Sequence, residues 1–76
     1  MSRFPTIRAS ELLKFLKHKG FVPLRQAGSH LTLYDQPHDV AVTVPIHKGH
    51  DLGRGQTLRI LKDAGFAAED FLNWRR

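Results

Sequence analysis

Seventy-six residues bound the chain to one domain, 1–76, close to the smallest size at which a single core holds without staples. The absence of cysteine excludes disulfides and thiolate zinc sites and fits a reducing, cytoplasmic setting, and no apolar run approaches a membrane span, so a soluble protein with no membrane partner is expected. Twelve Lys and Arg against seven acids give a net charge of +5, a balance that fits a phosphate-bearing partner, an acidic protein or an anionic surface, with nucleic acid placed first.

Met1 to Arg8 reads as a short lead-in, in which Pro5 disfavours helix at Phe4. Ala9, Leu12, Leu13 and Leu16 follow the i, i+3, i+4, i+7 spacing of a helix that buries one face. Lys14, Lys17, His18 and Lys19 lie mostly off that stripe, and the last of them complement the negative end of the helix dipole. Gly20 supplies the stop. Phe21 to Gln26 reads as a first strand, placed at a sheet edge because Pro23 cannot donate to a ladder. Leu31 and Leu33 alternate with His30, Thr32 and Tyr34 in a second strand. A polar turn, Asp35 to Asp39, leads to a third strand in which Val40, Val42 and Val44 alternate with Ala41 and Thr43 before Pro45 ends it.

Ile46 to Gly55 reads as a loop rich in glycine, histidine and basic residues. Thr57, Ile60, Leu61 and Ala64 then space a second helix that Gly65 stops. Phe66 to Trp74 gives a short C-terminal piece with Glu69 and Asp70 at a helical start and Phe71, Leu72 and Trp74 as apolar contacts. Helix, three strands, helix make an α+β sandwich with both helices on one face of the sheet and the other face open. Strand alternation places His30, Thr32 and Tyr34 on that open face.

Three groups of residues carry candidate chemistry. Gly28-Ser29-His30 combines a flexible turn with a side chain that titrates near neutral pH. Metal-independent RNA cleavage needs a base to take the proton of a 2′-hydroxyl and donors to steady charge on the phosphate. His30 suits the base, and the Gly28 and Ser29 backbone N–H groups with the Ser29 hydroxyl suit the phosphate; as an isolated tripeptide the run is equally a hairpin entry. The loop His47-Lys48-Gly49-His50, followed by Gly53-Arg54-Gly55 at a helix start, suits phosphate contact through Lys48 and Arg54 or stands as a solvated loop. Its histidines lack the ligand set of a zinc site. Tyr34 beside Arg25 could stack on an unpaired base, or could simply pack across the strands.

The order Ser10-Glu11-Leu12-Leu13, Lys19-Gly20-Phe21, Arg25-Gln26-Ala27-Gly28-Ser29-His30, Val42-Thr43-Val44-Pro45-Ile46-His47, Leu52-Gly53-Arg54-Gly55 and Ile60-Leu61-Lys62-Asp63-Ala64-Gly65 resembles the HicA toxins, from about Ser10 to Leu72. The resemblance implies a fold like the double-stranded-RNA-binding domain, an α-β-β-β-α sandwich with a three-stranded antiparallel sheet. It implies the toxin of a type II toxin–antitoxin system that cleaves mRNA without the ribosome, with His30 as catalytic general acid or base and no metal or cofactor. It also implies a HicB-like antitoxin that blocks the active surface. RNA contact is expected from Arg25, Gly28, Ser29, His47, Lys48 and Arg54. The pattern lapses at Gln56-Thr57-Leu58-Arg59, and Trp74-Arg75-Arg76 matches nothing in it. Two rivals share the same fold and charge: a catalytically silent RNA-binding module, and a basic protein that docks an acidic partner.

Overall fold

Helix α1 (Ala9–His18) buries Ala9, Leu12, Phe15 and Leu16. Phe15, which a stripe counted from Ala9 passes over, is fully buried and lies three residues on from Leu12. The computed structural model that shows this describes residues 4–47 and 51–76. Gly20 ends α1 at φ +105°. Its N–H donates to the Lys17 carbonyl at 3.1 Å, and the Phe21 N–H donates to the Leu16 carbonyl at 3.0 Å. These two bonds close a Schellman turn, which needs a residue that tolerates the left-handed region.

Strands β2 (Val22–Ala27), β3 (His30–Asp35) and β4 (Val40–Pro45) form an antiparallel sheet in the order β2-β3-β4. The first expected strand therefore starts and ends one residue later than its composition suggests, with Phe21 buried ahead of it. Its edge position is as expected. Pro23 pairs with Leu33 and Arg25 with Thr32, so Leu24 is an extra, bulged residue; proline and a bulge together blunt an edge against unwanted pairing. Gly28 and Ser29 turn the β2–β3 hairpin, Gly28 taking φ +59° at the first central position, as a type II′ turn requires. Between β3 and β4 the chain makes a single 3₁₀ turn, Gln36–His38, and Asp39 takes φ 53°. There His38 Nδ1 lies 2.6 Å from the carboxylate of Asp35, which is buried.

Leu33, Val42 and Val44 are buried in one cluster with Leu12, Phe15 and Leu16 of α1 and Ile60 and Leu61 of the second helix, α2 (Arg54–Asp63). Both helices thus cover one face of the sheet, in the arrangement of a double-stranded-RNA-binding domain. Helix α2 ends as α1 does: Gly65 has φ +92°, and the Phe66 N–H reaches the Leu61 carbonyl at 2.8 Å. Thr57 is buried within it, its hydroxyl donating to the Gly53 carbonyl at 3.0 Å.

Two features extend the expected plan. Ile7–Arg8 is a short strand, β1, paired antiparallel with β5 (Asp51–Leu52), so the lead-in and the glycine-rich loop are stitched together. The C-terminal piece is a full helix, α3 (Ala68–Arg75), opened by a bond from the Ala67 N–H to the Asp70 carboxylate at 2.8 Å. The Phe15 ring meets Phe66, Phe71 and Trp74 edge-on at centroid distances of 5.1, 5.3 and 5.5 Å, the favourable sense for aromatic quadrupoles. Arg75 donates to Glu11 at 2.9 Å and ties the end of α3 to α1. Among the described residues, no helix is long and apolar enough to cross a membrane.

Candidate functional site

The hairpin turn sets His30 as the first residue of β3, exposed on the sheet face away from the helices. His30 pairs with Pro45, and one step further the Ile46 N–H donates to the Ser29 carbonyl at 2.7 Å. That bond prolongs the ladder beyond Pro45, which itself lacks an N–H, and carries His47 back over the turn. The Ser29 hydroxyl and His47 Nε2 then lie 3.1 Å apart in a hydrogen bond. His30 of β3 and His47, just past β4, are thereby brought to one end of the sheet.

That end opens on a cleft of about 280 Å³ lined by His30, Pro45, His47, Asp51, Leu52 and Gln56. His30 comes from β3, Pro45 from the end of β4, and His47 from the segment just past it. Asp51 and Leu52 come from β5, held by its pairing with Ile7 and Arg8, and Gln56 comes from the first turn of α2. The arrangement offers two imidazoles, one carboxylate and one amide around a space that admits part of a nucleotide.

Of the residues expected to act, His30 and His47 line the cleft, and Ser29 adjoins it through its bond to His47. Gly28 forms the turn, its carbonyl accepting from the Gln26 side chain at 3.0 Å. Arg25 pairs with Thr32 and so shares the open face with His30, two pairs further along the hairpin and outside the cleft wall. Arg54 opens α2 two residues before Gln56 and is exposed. Lys48 lies outside the described residues. Asp51 and Gln56 were not expected as site residues; the only local signal for either is a polar side chain flanking the Leu52-Gly53 helix entry. Among the described residues no group of three or more His, Cys, Asp or Glu is placed to hold a metal ion.

Beyond the cleft the open face is polar and internally bonded. Thr32 and Thr43 share a hydroxyl–hydroxyl bond of 3.1 Å, and the Tyr34 hydroxyl donates to Asp39 at 2.7 Å. The bond to Asp39, with partial desolvation and the negative charges of Asp39 and Asp35, raises the Tyr34 phenol above its ordinary pKa. Loss of the phenolic proton would put two negative charges at hydrogen-bond distance.

A family model described as the HicA toxin of bacterial toxin–antitoxin systems matches residues 9–66. The chain belongs to the HicA toxin family. The HicA match begins at the first residue of α1 and ends just past the glycine stop of α2. It therefore contains the whole three-stranded sheet, its two covering helices and every residue that lines the cleft. Left outside it are the β1 strand and α3. Membership of HicA, as the toxin half of a toxin–antitoxin pair, implies a cognate antitoxin. Comparison with curated proteins finds no match.

Proposed function

We propose that this HicA toxin is an endoribonuclease that cleaves mRNA without the ribosome, with His30 as its general base. The observation that carries the reading is the convergence of His30 and His47 on one cleft in a chain of net charge +5. In the step envisaged, the His30 imidazole takes the proton of a ribose 2′-hydroxyl. The 2′-oxygen forms a bond to the adjacent phosphorus as the bond from phosphorus to the 5′-oxygen breaks. The leaving 5′-oxygen takes its proton from His47 in its imidazolium form, giving a 2′,3′-cyclic phosphate and a 5′-hydroxyl. Ser29 holds the His47 ring through the 3.1 Å bond, while Arg25, Lys48, Arg54 and the Gly28-Ser29 turn hold phosphate oxygens.

This chemistry draws on side chains and backbone N–H groups of the chain and assigns no metal or cofactor. The antitoxin, in this reading a HicB-like protein, silences the toxin in the cytoplasm by covering the cleft. His30→Ala is the test. Cleavage of single-stranded RNA and growth arrest on expression should both disappear, while circular dichroism and RNA binding stay as in the parent. Full cleavage by that variant would sink the assignment. RNA binding with no scission by the purified parent would make the chain a silent RNA-binding module. Affinity for the antitoxin alone, with none for RNA, would make it a basic partner-docking protein.

A further inference from the structure

Helix α2 carries more charge than the cleft uses. Its buried face is Thr57, Ile60 and Leu61. On its outer side Gln56, Arg59 and Asp63 fall at i, i+3 and i+7, one stripe along the helix, with Lys62 beside it. The stripe begins in the cleft, since Gln56 is part of the cleft wall. Further along the helix, Arg59 and Asp63 of the stripe line a shallow groove of about 430 Å³ together with Leu58 and Lys62. Arg59 and Lys62 are exposed, and among the described residues neither has an acid within ion-pair distance, although Asp63 is four residues from Arg59. At a rise of about 1.5 Å per residue, Lys62 stands roughly 9 Å along the axis from Gln56.

We infer that this groove is a second subsite for single-stranded RNA, in which Arg59 and Lys62 hold backbone phosphates of the nucleotides next to the one in the cleft. The inference rests on the reading of the cleft as an RNA site. Its place on the helix that also lends Gln56 to the cleft favours an RNA backbone over an acidic protein segment, and the half-buried Leu58, one turn before Lys62, offers an apolar edge for a ribose or base beside the two cations. Asp63 and the negative end of α2 close the groove to phosphate at its far end. The subsite therefore serves a few flanking nucleotides rather than a long tract.

The experiment measures binding of a trinucleotide and a dodecanucleotide RNA by the His30→Ala chain across a range of salt concentrations. The dodecanucleotide should bind more tightly and with the steeper dependence of log K on log salt. Arg59→Ala/Lys62→Ala should lower its slope by about 1.4, two contacts at about 0.7 each for a single strand, and move the trinucleotide by less than half of that. Arg59→Lys/Lys62→Arg should restore the parent slope, because phosphate reads the charge. Removing two charges from α1 instead, with Lys14→Ala/Lys17→Ala, should leave the length dependence in place. An unchanged dodecanucleotide slope in Arg59→Ala/Lys62→Ala overturns the inference, as does an equal fall in the α1 variant. So does an Arg59→Ala/Lys62→Ala chain that loses the parent's binding to a polyglutamate peptide, added as an acidic-protein probe, while its RNA binding stays intact. A chain that binds neither RNA overturns the RNA reading as well. A parent that binds with a slope sensitive to Arg59 and Lys62 but does not cleave overturns only the cleavage chemistry.

Discussion

The two faces of the three-stranded sheet are built from alternate residues of the same strands and answer to different physics. On the helix side Leu33, Val42 and Val44 are buried among α1 and α2, and what matters is volume. On the open side His30 is exposed, Thr32 and Thr43 share a hydroxyl bond and Tyr34 donates to Asp39 in the turn, and what matters is polarity and reach. Because a strand has a period of two, the chain can change one set without moving the other. Stability and the proposed site therefore fall on separate faces, and substitutions of adjacent residues can pull them apart.

Adjacent positions in β3 give the largest effect. Leu33→Ala removes a fully buried side chain and should cost about 2–5 kcal/mol in denaturant unfolding. Its neighbour Thr32→Ala removes one half-exposed hydroxyl bond and should cost about 1 kcal/mol or less. Similar costs at the two positions would break the distinction between the faces. Next in size is the glycine stop that lets α1 turn back into the sheet. Gly20 sits at φ +105°, and a Cβ built there would meet Asp35 Oδ1 at 3.7 Å, an ordinary contact. The penalty of Gly20→Ala is thus backbone strain rather than collision, about 1–2 kcal/mol. A thermal melt unchanged by this substitution would show that the helix can stop another way.

Ser29 sharpens the comparison within one residue. Its carbonyl, bonded to the Ile46 N–H at 2.7 Å, belongs to the sheet, while its hydroxyl, 3.1 Å from His47, belongs to the cleft. Ser29→Ala keeps the first and loses the second. Unfolding should therefore shift by no more than about 0.5 kcal/mol. RNA cleavage should fall by about ten- to a hundredfold, the worth of one hydrogen bond to a charged imidazolium. A loss of stability without a loss of rate would reverse the division.

The parts that were legible in the sequence are those whose signal is local. Both main helices declare themselves by apolar spacing and a following glycine, and the strands by alternation; His30 falls on the open face for the same reason. The β1–β5 pair has only two residues on each side, too few to show a period, and its partners are far apart in the chain. That pair holds Asp51 and Leu52 in place, so the second wall of the cleft could not be read from its own neighbourhood. Helix α3 was underestimated because only Phe71 of its residues is buried; its aromatic contacts with Phe15 are what make it a packed element. Gln56 sits in the first turn of α2 with nothing local to mark it. A cleft made by tertiary pairing has no one-dimensional signature.

The smallest effect tests whether the open face depends on protonation in a way that the helix face does not. Tyr34 is the single tyrosine of the chain, so phenolate absorbance follows it alone. The bond to Asp39 is the main cause of its raised pKa, and its titration should be centred above the ordinary value of about 10. Asp39→Asn removes the carboxylate charge and suits the φ of 53° at that position, so it should return the midpoint towards the ordinary value. Because the folded pKa is raised, the stabilising contribution is fully present below the unfolded value of about 10 and is lost as pH rises through the folded one. The unfolding midpoint should therefore fall in that alkaline window for the parent. Tyr34→Phe, which has no phenol to ionise, should lose this part of the decline, whereas Leu33→Ala should keep it at a lower overall stability. A phenol that titrates at its ordinary value in the parent would show that Asp39 does not accept from it in solution.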